Sequence, residues 1–234
     1  MKINLFCFPF AGGSVYSYAK YNGVAPRNIK LIPLELPGRG KRIIEPLLTD
    51  IHSMADDLYR IIKPMLNEPY AFYGHSMGTV LSYLITRRLI SEGQSGPLYL
   101  FMSGRFGPSA KDPDPFNHNL PKNEFRAKLK EIGGSPDEFL ADDTLMDFFD
   151  PILRADFRAI EEYQYQPTEP FDIPMVIMVG KEEKVTPETA MAWQVETTKP
   201  IDIRWFNGKH FFILDYPSEI MRIIGQKLQT VTIR

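Results

Sequence analysis

One cysteine in 234 residues, Cys7, excludes any intrachain disulfide, so the fold requires no oxidising compartment. Cys7 lies in an apolar run, where a buried structural thiol is expected rather than a reactive one. No segment reaches the roughly 18 uninterrupted apolar residues of a membrane-spanning helix. The N-terminal MKINLFCFPFAGG carries one lysine before an apolar stretch that Asn4 and Pro9 interrupt, and no A-x-A-like site follows, so no signal peptide is expected. Neither sign of charge dominates. With 27 Lys and Arg against 29 Asp and Glu, the net charge of −2 creates no field that would hold nucleic acid. Cysteine and histidine form no cluster at ligand spacing, so a metal site has no support. These exclusions point to a cytoplasmic chain. The hydrophobic fraction of 44% and charged fraction of 24% are ordinary for a globular protein of one large α/β domain.

Strand, loop and helix alternate along most of that length. Ile3–Phe8, Ile29–Leu34, Pro69–Tyr73, Leu98–Met102, Met175–Val179 and Ile201–Phe206 read as short buried strands. Helical spacing follows in Ile51–Leu66, after Ser76, in Thr189–Val195 and in Ser218–Leu228. This alternation predicts a mostly parallel sheet with helices on both faces. Between Phe106 and Tyr165 the rhythm changes to helices alone. Phe125, Leu129 and Ile132 share one face, Gly133-Gly134 stops that helix, and Ser135-Pro136-Asp137-Glu138 reads as a capping box for the next. Leu145, Phe148 and Phe149 precede a break expected at Pro151, after which Leu153, Phe157 and Ile160 continue. An insertion of this length is too apolar for a plain loop. Residues 1–234 are therefore read as a single domain with a helical lid inserted at about 106–165.

The chemistry centres on Gly74-His75-Ser76-Met77-Gly78. The pattern G-x-S-x-G arises by chance in about one chain of this length in ten. Here it sits between a strand and a helix, the setting of a nucleophile elbow that exposes the Ser76 hydroxyl. A serine nucleophile needs a base. Of the four histidines, His75 lies within the elbow and is expected to point away from the cleft. His52 begins a surface helix and His118 lies in a proline-rich stretch. Only His210 follows a late strand, as the order Ser, acid, His requires.

The acid is expected after Met175–Val179, where the chain reads Gly180-Lys181-Glu182-Glu183-Lys184. No aspartate occurs between Asp172 and Asp202. A glutamate can hold the histidine tautomer equally, and Glu183 is the candidate, with Glu182 as the alternative. The oxyanion hole is expected from the N–H of Met77 and a second N–H, of Phe10 or Ala11, in the loop Phe8–Gly13. Arg39, Lys41 and Arg42 read as a solvated basic loop, and Arg87 and Arg88 as charges complementing the end of their helix.

Phe8-Pro9-Phe10-Ala11-Gly12-Gly13, Leu36-Pro37-Gly38-Arg39-Gly40, the elbow and Gly208-Lys209-His210-Phe211-Phe212 occur in the order seen in type II thioesterases, which the chain resembles over nearly its whole length. Those proteins are the stand-alone partners of nonribosomal peptide and polyketide synthetases. Within the insertion, Gly133-Gly134-Ser135-Pro136, Leu153-Arg154-Ala155-Asp156-Phe157 and Glu162-Tyr163 are similar to that family's lid. The resemblance implies an α/β-hydrolase fold, Ser76 as nucleophile and His210 as base. It also implies hydrolysis of acyl thioesters on the phosphopantetheine arm of carrier proteins, by a monomer and without a cofactor. The chain departs from the family where Glu183 replaces a usual aspartate, Lys209 a common glycine, and Thr79 a small residue. Two rival readings are a general carboxylesterase or lipase, and a non-catalytic binding module, the latter motivated by the missing aspartate.

Overall fold

The computed structural model describes residues 2–112 and 114–232. Strand β1 (Ile3–Phe8) lies inside the sheet and is buried along its full length. Side chains alternate between faces of a strand, so β1 feeds two cores. Ile3, Leu5 and Cys7 join one cluster with Tyr18, Tyr21 and the closing helix α8 (Pro217–Thr232). Tyr21 lies in the short helix α1 (Ala19–Asn22). Phe6 and Phe8 join the opposite cluster, beneath α2 (Ile51–Ile62) and α3 (Met77–Ser91). Burying each such aromatic stabilises the fold by roughly 1.5–3 kcal/mol. Burial also pushes the Cys7 thiol above its ordinary value.

The other strands are β2 (Ile29–Pro33), β3 (Tyr70–His75), β4 (Leu100–Ser103), β5 (Met175–Gly180) and β6 (Asp202–Phe206). All pair in parallel, in the order β2-β1-β3-β4-β5-β6. Helix α7 (Pro187–Met191) and a short 3-10 turn join β5 to β6. The six-stranded parallel sheet with helices on both faces is the layering expected from the alternation, and it is the α/β-hydrolase architecture that the resemblance implies. The chain leaves β1 towards β2 on one side and returns to β3 on the other. The crevice at the carboxyl ends of β1 and β3 is thus a topological switch point, where ligands of open α/β sheets bind. Among the described residues no helix is long and apolar enough to cross a membrane.

Between β4 and β5 lie α4 (Lys122–Ile132), α5 (Asp137–Ala141) and α6 (Asp143–Glu161). They share a small core of Phe125, Leu129, Leu140 and Met146, with Phe116 and Phe157 stacked beside it. Two local expectations fail. Pro151 does not break the chain of helices, because α6 runs through it. Proline removes a helical hydrogen bond to the carbonyl four residues back, at a cost of about 3 kcal/mol. Here both Asp147 and Pro151 are exposed, so water can satisfy that carbonyl, and buried Met146, Ile152, Ala155 and Ala159 hold both halves. Ser135 caps nothing either. Pro136, at ψ 147°, occupies the cap position, and Asp137 and Glu138 favour the helix N-terminus by charge alone. The side-chain cap is found one helix later, where Asp142 accepts from the Leu145 N–H at 3.0 Å.

Candidate active site

Ser76 stands between β3 and α3 with φ 52° and ψ −116°, and it is the one non-glycine residue at positive φ among the described residues. The turn is closed by Ser76 N–H donating to the Ser103 carbonyl at 2.8 Å and by the Thr79 hydroxyl donating to the Ser76 carbonyl at 2.7 Å. Glycine is required on either side. A Cβ at Gly74 would lie 2.2 Å from the Gly78 carbonyl oxygen, and one at Gly78 would lie 2.7 Å from that of Phe8. Such contacts would open the turn and withdraw the hydroxyl. Thr79, a departure from the family pattern, is fully buried and helps to close the elbow.

Register brings the other candidates to the same edge. Gly180 pairs with Phe206, so the loops leaving β5 and β6 emerge side by side. His210 Nδ1 and Glu183 Oε2 lie 2.8 Å apart, and Glu183 Oε1 accepts the Gly180 N–H at 2.7 Å. Glu182 is exposed, and only its backbone takes part in this turn, donating to the Gly208 carbonyl. The structure thus joins Glu183, and not Glu182, to His210. Gly180 permits the approach, because a Cβ there would meet the Gly208 and Lys209 carbonyl oxygens within 2.7 Å.

The loop after β1 starts level with the elbow, since Phe8 pairs with Gly74. Phe10 and Ala11 follow immediately, and Met77 opens α3 beside them, so all three candidate oxyanion donors lie at this edge. The Phe10 ring packs on His75 and Phe211.

The solvated reading of Arg39 fails. Arg39 is buried and forms a bidentate pair with Asp156 of α6, at 2.5 and 2.7 Å, while Asp156 also accepts the Gly12 N–H at 2.7 Å. Arg42 likewise pairs with Asp57 and Glu45. Arg87 reaches Glu196, which is fully buried and accepts from the Tyr83 and Tyr165 hydroxyls. Charged side chains ten or more residues from their partners carry no local signal of pairing.

His75 is fully buried, with Nδ1 3.0 Å from the Ser103 hydroxyl and its ring centroid 4.7 Å from that of His210. Gly104 makes room for both rings, since a Cβ there would sit 2.3 Å from His75 Cε1 and 3.2 Å from His210 Cε1. Neither neighbour was evident from motif or spacing. Burial, and secondly the nearby His210, hold the His75 imidazole well below its ordinary value, so the folded state keeps it neutral. The unfolded chain protonates it below about pH 6.5, and stability therefore falls as pH drops, by up to about 1.4 kcal/mol per unit. His75→Gln removes this dependence. Urea denaturation from pH 7.5 to 5.0 is expected to show the wild-type advantage over His75→Gln shrinking; a constant difference would refute the buried neutral imidazole.

Among the described residues no group of three or more His, Cys, Asp or Glu side chains could hold a metal ion. What the site offers is a hydroxyl on a strained elbow, a histidine held by a carboxylate, and backbone N–H groups at a helix start, the parts of a serine hydrolase.

Comparison with known proteins agrees. The thioesterase domain family matches residues 3–228, and the chain belongs to that family. The gramicidin S biosynthesis protein GrsT of Aneurinibacillus migulanus is 32% identical over 98% of this chain and 90% of its own length. The structure of ClbQ from the colibactin NRPS/PKS pathway superposes with a TM-score of 0.93 at 30% identity, over 100% of this chain and 99% of that one. The type II thioesterase BorB from the borrelidin biosynthetic cluster gives 0.88 at 33% identity, over 97% and 93%. These likenesses extend to the insertion, and they group the chain with the type II thioesterases.

Proposed function

We propose that this protein hydrolyses acyl thioesters carried on the phosphopantetheine arm of carrier proteins, as a monomeric cytoplasmic partner of a nonribosomal peptide or polyketide synthetase. The observation that carries the chemistry is the 2.8 Å contact between His210 Nδ1 and Glu183 Oε2 at the same sheet edge as the Ser76 elbow. In this reading Ser76 Oγ attacks the thioester carbonyl while His210 takes its proton. The N–H of Met77 and that of Phe10 or Ala11 stabilise the oxyanion. Collapse expels the pantetheine thiol, protonated by His210, and leaves an acyl-enzyme. Water then adds, with His210 again as base, and the free acid departs. Each step uses side chains and backbone of this chain alone. Glu183 also answers the observation behind the binding-module reading, because a carboxylate stands beside His210 without an aspartate.

The carrier as substrate is supported by whole-chain similarity to GrsT, ClbQ and BorB, and by the three-helix insertion over the sheet edge. The insertion acts as the lid. A thioester on a long arm needs a channel, and contacts between carrier and lid supply binding energy remote from the reacting carbonyl. Gly133 and Gly134, at φ 84° and 83°, provide a hinge between α4 and α5. The kcat/KM for one acyl group is therefore expected to be higher on a cognate carrier than on coenzyme A or a short soluble thiol. Side-by-side assays of the three donors check this. Equal efficiencies would favour a general esterase.

A further inference from the structure

The loop that supplies the second oxyanion donor is held from outside its own strand. Gly12 N–H donates to Asp156 Oδ2 at 2.7 Å across 144 residues, and Gly13 N–H donates to the Phe10 carbonyl at 2.8 Å. With those two engaged, the Phe10 and Ala11 N–H groups are the ones in this loop left without an internal acceptor among the described residues. Asp156 is fully buried in α6, and its countercharge is the buried guanidinium of Arg39, from the loop after β2. Leu153, one turn earlier, packs against Gly12, at φ 74°, where a Cβ would lie 2.6 Å from its Cδ2.

We infer that Asp156, oriented by Arg39, is a positioning residue that clamps the oxyanion loop, so that hydrolysis proceeds only while α6 is docked on Gly12. The carboxylate geometry explains why an acid is used. Oδ2 accepts from both Gly12 N–H and Arg39 Nη1, and Oδ1 accepts from Arg39 Nη2. An amide in its place offers one acceptor and one NH2 group, which would face a donor whichever way it turned. The loop would then relax, and donor placement at the developing charge is worth about 100-fold or more in kcat. Lid opening is accordingly confined to α4 and α5, or else it switches the hydrolytic site off. This inference rests on the proposed serine mechanism and adds the residue that holds its oxyanion hole in place.

The test compares wild type, Asp156→Asn and Arg39→Lys, each counted by active-site titration with a fluorophosphonate. Turnover is measured on an acyl N-acetylcysteamine thioester. Inhibition is measured with the matching trifluoromethyl ketone, whose carbon accepts Ser76 Oγ to form an oxyanion-bearing adduct while the proton passes to His210. Asp156→Asn is expected to lower kcat per titrated site about 100-fold and to weaken the ketone by a similar factor, with KM within about threefold. Arg39→Lys keeps the charge without the bidentate fork and should fall between. It carries the test alone if Asp156→Asn does not fold. Fewer titratable sites with unchanged kcat and ketone affinity per site would mean a structural tie only, and would overturn the inference. Wild-type turnover that survives Ser76→Ala would instead refute the serine mechanism itself.

Discussion

Ser76→Ala is expected to lower kcat by about four orders of magnitude or more while the protein stays folded. The elbow holds residue 76 at φ 52° and ψ −116°, a strained conformation that costs roughly 1–3 kcal/mol and is retained by the surrounding backbone. Alanine bears the same strain, so the substitution leaves that balance unchanged. The bonds that close the turn, to the Ser103 carbonyl and from Thr79, use the Ser76 backbone and not its hydroxyl. Thermal denaturation should therefore shift by no more than about 2 °C. Without the hydroxyl no acyl-enzyme can form, and only positioned water remains as nucleophile. Thioester hydrolysis followed with a thiol reagent measures the loss. Near-normal turnover would mean that the nucleophile lies elsewhere.

Glu183→Gln is expected to lower kcat by about three to four orders of magnitude, with KM little changed. Orientation decides the size of the effect. Glu183 Oε1 accepts the Gly180 N–H, so a glutamine keeps its carbonyl oxygen on that side and turns its NH2 towards His210 Nδ1. The imidazole is then driven to the tautomer with its proton on Nε2, which cannot accept a proton from Ser76. Glu182→Gln, at an exposed side chain outside the pair, should change kcat by less than about twofold. Steady-state kinetics on the three proteins separate the cases. A silent Glu183→Gln would leave His210 acting without its carboxylate.

Much of this molecule is legible in one dimension. The short, largely apolar run Ile3–Phe8 and the helical spacing in Ile51–Leu66 made the layered sheet readable, because each pattern lies within a few residues of the chain. The elbow was readable because its pattern fits within five residues between a strand and a helix, although only Gly74 answers a demand inside the motif and Gly78 answers one from Phe8. His210 could be chosen among four histidines by its place after a late strand. The candidate oxyanion donors were narrowed to Phe10 or Ala11, and with the Gly12 and Gly13 N–H groups engaged those two amides have no internal acceptor among the described residues.

What the chain could not disclose were encounters between distant segments. Glu182 and Glu183 are neighbours in identical chemistry, and parallel pairing of β5 with β6 brings His210 to one of them. Arg39 looked solvated because its partner, Asp156, stands 117 residues away on a helix whose docking no local pattern encodes. His75 and Gly104 meet through the register of β3 against β4, and His210 reaches both from the loop after β6. Pro151 misled for the same reason, since local propensity argued for a break and the packing of both halves of α6 overrode it. Local sterics and periodicity, which act over a few residues, made the fold class and the candidate nucleophile readable. Which charges pair, which glutamate meets His210 and which carboxylate meets the Gly12 N–H depend on which surfaces come together, and that was decided by the tertiary structure.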